Sequence, residues 1–138
     1  LRKFKKINLI IIATISIVLV LLVFRFGTAL VQEKNPVPVL SSILALELSE
    51  DDYKNFSTTD NYERYVSKNM ASERTNIICA YMKEKGWILN EQFGSGLNFV
   101  KDGKEVIVDT ELYSKNYIIW NVPKEVFEER KSKRIYSK

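Results

Sequence analysis

The chain has 138 residues, a formal net charge of +4, one Cys and no His. Once an apolar N-terminal run is set aside, this is enough chain for one modest core and no second domain. A lone Cys excludes a disulfide framework, and without His there is no usual base for a Ser or Cys nucleophile and no common zinc ligand.

The position of the charge says more than its sum. Residues 1–34 total +5, residues 35–123 total −4 and residues 124–138 total +3. Basicity therefore lies at the two ends and the middle is mildly acidic. A nucleic-acid face needs cations clustered on the folded part, so no nucleic-acid partner is expected.

Residues 1–6 hold Arg2, Lys3, Lys5 and Lys6, and read as a cytoplasmic basic segment. Residues 7–24, Ile7 to Phe24, follow without a charge; Asn8, Thr14 and Ser16 are the polar interruptions. As a helix the run is roughly 27 Å long, close to the ~30 Å hydrocarbon core of a bilayer. It predicts a transmembrane helix, with the lipid bilayer as a partner. Positive residues before the run place the N-terminus in the cytoplasm and the rest outside, at the cell membrane. A cleaved signal peptide is the competing reading, with Gly27-Thr28-Ala29 as its site. An uncharged run of 18 residues exceeds the ~7–15 of a signal core, and Arg25 intervenes, so an uncleaved signal-anchor is preferred.

Residues 25–40 read as a linker, stiffened at Asn35-Pro36-Val37-Pro38 because each Pro restricts its predecessor to extended geometry. Residues 41–123 read as an extracytoplasmic α+β domain: one helix packed on an antiparallel meander sheet. Within it, residues 43–67 are weakly specified. Ile43–Leu48 is apolar but short. Ser49-Glu50-Asp51-Asp52 fits either a helix N-cap or a hairpin turn into Tyr53–Ser57, and Thr58-Thr59-Asp60-Asn61 is a loop. Asn69–Lys85 predicts a helix capped by Asn69, with Met70, Arg74, Ile77, Ile78, Tyr81 and Met82 on one face and Gly86 as a left-handed stop. Cys79 fits there as a small, partly buried apolar residue.

After Gly86 the period changes from 3.6 to 2. Trp87–Phe93, Leu97–Lys101, Lys104–Glu111 and Tyr117–Val122 predict four strands. Asp102-Gly103 is a two-residue hairpin turn that pairs Lys101 with Lys104, Phe99 with Val106 and Leu97 with Val108, which gathers Leu97, Phe99, Val106 and Val108 on one face. A three-residue link Ser114-Lys115-Asn116, with Asn116 left-handed, adds Ile118, Trp120 and Val122 to that face. A three-residue link Gly94-Ser95-Gly96 adds Trp87, Leu89 and Phe93. Residues 124–138 form a charged tail in which Pro123 opens a short helix held by Val126 and Phe127, before the basic run Arg130–Arg134.

No metal site, phosphate loop or catalytic pair is visible, so no cofactor and no enzyme are expected. Two acidic features stand out. Glu91 falls on the core face opposite Phe99, near Arg74, where a desolvated carboxyl would hold its proton to higher pH. Glu105, Asp109 and Glu111 share the outer face of one strand, at a spacing that paired-carboxylate hydrolysis uses. The outer face also carries Ile88, Val100, Ile107, Tyr117 and Ile119. Either residues 43–67 cover it or a partner does; Val100, Ile107, Tyr117 and Ile119 are the candidate partner face. The expected function is a membrane-anchored, non-catalytic interaction domain, accessory to an envelope complex and meeting a membrane protein partner. The alternatives are a ligand- or peptide-sensing module and a small carboxylate-dependent hydrolase.

Overall fold

The turn at Asp102-Gly103 sets the frame of the sheet. In the computed structural model, which describes residues 2–32, 35–70 and 73–128 (the side chains of 2–5, 22 and 25–32 apart), both turn residues have positive φ, 49° and 76°. Strands β4 (Gly96–Lys101) and β5 (Lys104–Ser114) leave the turn paired as Lys101 with Lys104, Phe99 with Val106 and Leu97 with Val108. Those four apolar side chains are buried, so turn chemistry and alternation select the same register. An added Cβ at Gly103 meets nothing within 4 Å. Gly103→Ala is therefore expected to lower stability by about 1 kcal/mol through backbone strain alone, read as a lower urea midpoint at unchanged slope.

The other two links are shorter than the sequence implied, and bulges restore the phase. Strand β6 (Tyr117–Pro123) pairs Tyr117 with Ser114, so the link is Lys115-Asn116, and Asn116 is not left-handed. A register shift between Leu112 and Ser114 adds Tyr113 as an extra residue. Ile118 then meets Leu112, as it would across a three-residue link, and Ile118, Trp120 and Val122 face the core. At strand β3 (Ile88–Phe93), Phe93 pairs with Gly96 and a shift falls between Leu89 and Glu91. Gly94, at φ 56°, accepts the tight turn. Trp87 and Leu89 keep their core positions, while Phe93 stays 58% exposed.

Residues 43–67, weakly specified by sequence, supply a helix and two strands. Strands β1 (Tyr53–Thr58) and β2 (Tyr62–Lys68) form a hairpin, and β2 pairs with β6. The sheet has six antiparallel strands in the order β1-β2-β6-β5-β4-β3. Helix α2 (Val37–Glu47) begins inside the expected linker. Pro38 lies in its first turn, where a missing N–H breaks no bond, so the Pro pair opens a helix instead of a spacer. Val39, Ile43 and Leu46 are buried at three- and four-residue steps. Ser49–Asp52 links this helix to β1.

The predicted second helix is observed as α3 (Arg74–Glu84), five residues later than expected at its start. Asn69 does not cap it, because its amide donates to the Lys115 carbonyl (3.0 Å) and its N–H to the Asn116 carbonyl (2.7 Å). At the other end Gly86, at φ 82°, closes the helix: the Trp87 N–H reaches the Met82 carbonyl (3.0 Å) and the Gly86 N–H that of Lys83 (2.9 Å). Lys101 of β4 donates to the Lys85 carbonyl (3.0 Å).

The two helices take opposite faces of the sheet. Ile78, Tyr81 and Met82 of α3 join Tyr65, Trp87, Phe99 and Trp120 in the main core, with Cys79 half-buried beside it. Residues 125–128 make a helical turn that brings Val126 into this core and Phe127 against it; Arg130–Arg134 lie outside the described residues. On the far face, Glu47 of α2 accepts a bond from the Tyr117 hydroxyl (2.6 Å) and lies 3.8 Å from the Lys68 ammonium. Tyr117 and Lys68 are cross-strand partners, as are Ile119 and Val66 one row on.

The chain divides into two compact units, residues 1–36 and 37–138. The first holds α1 (Arg2–Gln32). From Ile7 to Phe24, 13 described large apolar side chains stand 49–91% exposed. They include the consecutive runs Leu9–Ile12 and Ile17–Leu21, which at about 100° per residue reach every side of the helix. Thr14 satisfies its hydroxyl on the Ile10 carbonyl (2.9 Å). Counted over the described residues, no helix is long and apolar enough to cross a membrane, and the expected span at residues 7–24 does not meet that measure.

Candidate functional site

Alternation along β5 and β6 carries the expected partner residues to the outer face, but α2 divides them. Tyr117 is 4% exposed and bonded to Glu47, and Ile119 is fully buried, so neither can meet a partner in this fold. Beyond α2 the face is open. Ile107 is 51% and Ile88 68% exposed, with Val100, the cross-strand partner of Ile88, half-buried. Gly96 belongs to this surface: a Cβ there would stand 3.2 Å from Cγ2 of Ile107, so the missing side chain lets Ile107 lie flat across β4. The partner face thus contracts to Ile88, Val100 and Ile107, with Phe93 at its edge.

Glu91 is not on the core face. The two-residue link Gly94-Ser95 pairs it with Asn98 and leaves it exposed, and among the described residues it makes no ion pair with Arg74. Of the three carboxylates on β5, Glu105 and Asp109 line an open cleft of about 550 Å³ together with Asp60, Glu125 and Glu128; Glu111 is not part of it. Glu105 accepts a bond from the Asn98 amide (3.3 Å). Glu105 and Asp109 are both exposed, so their surroundings do not set one apart as acid and the other as base. Among the described residues no group of His, Cys, Asp or Glu is placed to hold a metal ion.

Sequence reasoning missed a second concavity. Arg74 and Thr75 in the first turn of α3 face Gln92, Gly94 and Ser95 of the β3–β4 hairpin, around a cavity of about 250 Å³ whose apolar lining is Ile78, Leu97, Ile118 and Leu112. The signal was a cation, Arg74, on an otherwise apolar helical stripe.

A knot of rings lies deeper. Tyr65 stacks on Trp120 with centroids 4.5 Å apart, Tyr53 and Tyr81 meet Trp120 edge-on at 5.5 and 5.1 Å, and the Tyr65 and Tyr81 hydroxyls bond to each other. The Lys85 ammonium sits 3.4 Å from the Tyr81 ring centroid. Burial raises the pKa of Tyr53, Tyr65 and Tyr81, and the hydrogen bond with Tyr65 adds to the rise at Tyr81. A phenol with a raised folded pKa gives its full stabilisation below the unfolded value near 10 and loses it as pH climbs beyond. The domain is expected to lose stability above about pH 10, with these phenols ionising only as it unfolds; absorbance at 295 nm followed alongside circular dichroism checks this.

Comparison of the chain with protein-family models, with curated proteins and with solved structures gives no match.

Proposed function

We propose that the protein is a single-pass membrane-anchored protein whose extracytoplasmic domain is a non-catalytic interaction module, accessory to an envelope complex. The observation that carries the reading is α1. A helix that is apolar on every side has no stable place in water. On the insertion scale its 13 exposed apolar side chains favour the membrane by roughly 4–8 kcal/mol. Arg2, Lys3, Lys5 and Lys6 ahead of the run favour a cytoplasmic N-terminus. A tether of this kind confines the domain to a thin layer and raises its effective concentration for a partner in the same membrane.

The uncovered part of the outer face supports the interaction reading. Ile88 and Val100 pair across β3 and β4, and Ile107 lies diagonally from them on β5, on the part of the face away from α2. In-cell crosslinking followed by purification from membranes tests it. A membrane protein is expected to copurify, and Ile107→Arg, at a side chain already half exposed, is expected to cut its yield at least tenfold with the melting temperature unchanged. Recovery of the protein alone, or an unchanged yield in the variant, overturns the assignment of this face.

A further inference from the structure

The cavity between α3 and the β3–β4 hairpin has a charge pattern of its own. The folded middle of the chain is acidic, yet among the described residues the one charged side chain lining this cavity is Arg74. Arg74 is half-buried; among the described residues its Nε is buried without a hydrogen-bond partner and the side chain has no ion pair. A buried guanidinium N–H left unpaired is costly, so the position favours an acceptor. Glu73, the residue that caps α3, makes no side-chain bond to the first turn, so the positive end of the helix dipole adds to the guanidinium.

The rest of the lining sets the remaining chemistry. Thr75 supplies a hydroxyl beside Arg74. The Ser95 carbonyl accepts from both the Thr110 N–H (2.8 Å) and its hydroxyl (2.7 Å), which fixes the hairpin as a wall. Gln92 donates to the Gly94 carbonyl (3.2 Å), so its amide is held against the same turn. The apolar part of the lining is Ile78, Leu97, Ile118 and Leu112, of which Leu112, 55% exposed, presents the accessible surface.

A cation at one end and an apolar lining beside it call for an anion joined to a short apolar chain. Guanidinium forks match the planar carboxylate best. We infer that this cavity binds a small apolar carboxylate, held by Arg74 and Thr75 at the mouth with its hydrocarbon on the apolar lining, Leu112 above all. A free branched-chain acid and the C-terminus of a peptide ending in an apolar residue share this chemistry. The inference is independent of the membrane reading and of the outer face of the sheet.

The test uses the full-length protein in lipid nanodiscs, with amide shifts followed by NMR during titration with 4-methylpentanoate. Shifts at Thr75, Ile78 and Ser95 are expected to saturate together, and the neutral isostere 4-methylpentanamide is expected to bind at least tenfold more weakly. Arg74→Met should abolish the carboxylate preference, while Arg74→Lys keeps part of it and guards against a variant that fails to fold. The dipeptide Ala-Leu and its C-terminal amide then separate a peptide end from a free acid. Equal binding of acid and amide by the wild type, or no saturable shift at these residues with any of the probes, overturns the inference.

Discussion

Trp120→Ala is expected to remove about 3–5 kcal/mol of the domain's stability. Trp120 is fully buried on β6, a central strand paired on both sides. It stacks on Tyr65 and meets Tyr53 and Tyr81 edge-on, so three rings from β1, β2 and α3 lose their common neighbour together. Truncating a buried Trp costs about 3–5 kcal/mol, against the ~5–15 kcal/mol that a domain of this size has in total. The surrounding strands are locked by ladder bonds on both sides of β6 and relax little into the gap, which puts the loss at the upper end. Trp120→Phe should cost far less, roughly 1–2 kcal/mol, because it retains a ring, and the indole N–H has no partner among the described residues to forfeit. Urea unfolding followed by far-ultraviolet circular dichroism distinguishes the two variants, with Trp87 left as a fluorescent reporter in both.

Two carboxylates in the middle of α1 are expected to release the protein from membranes. Ile15 and Leu19 lie four residues apart at the centre of the apolar run, 53% and 56% exposed. An Asp at the centre of a membrane helix is unfavourable by ~2.5–3.5 kcal/mol, so Ile15→Asp with Leu19→Asp removes roughly 5–7 kcal/mol of insertion energy. The fraction resisting alkaline carbonate extraction should fall from nearly all to under a tenth, while Ile15→Leu changes nothing. A wild-type protein that washes off in carbonate refutes the anchor outright.

The meander was legible in the sequence because its turns are short and its alternation regular. Asp102-Gly103 alone specified two strands, their register and the four side chains between them. The core face of β6 was also legible, although by a compensating error: the extra residue sits in the strand at Tyr113 and not in the loop at Asn116. Glu91 shows the same error without the compensation, since it lies between the two-residue link that shifts the register and the bulge that restores it. Bulges of this kind leave no composition signal, being decided by twist and by what the neighbouring strand must bury. The first half of the domain was illegible for a different reason. Pro36 and Pro38 carry opposite meanings before a helix and inside one, and β1 and β2 are polar strands that become strands by pairing beside β6. The cavity at Arg74 needed α3 and the β3–β4 hairpin to be brought together, which no local pattern records.

The seam between β2 and β6 has a consequence for synthesis. Every other pairing joins neighbours in sequence, but this one joins Tyr62–Lys68 to Tyr117–Pro123 and carries the Tyr65–Trp120 stack. A ribosome adds ~5–20 residues per second, so β2 emerges roughly 3–10 s before its partner. Through that interval β2 stands without its partner strand, and Tyr65 without the indole on which it stacks. The domain closes in a single late event once β6 arrives. This passage, more than the finished fold, is the stage at which a holding chaperone has something to grip.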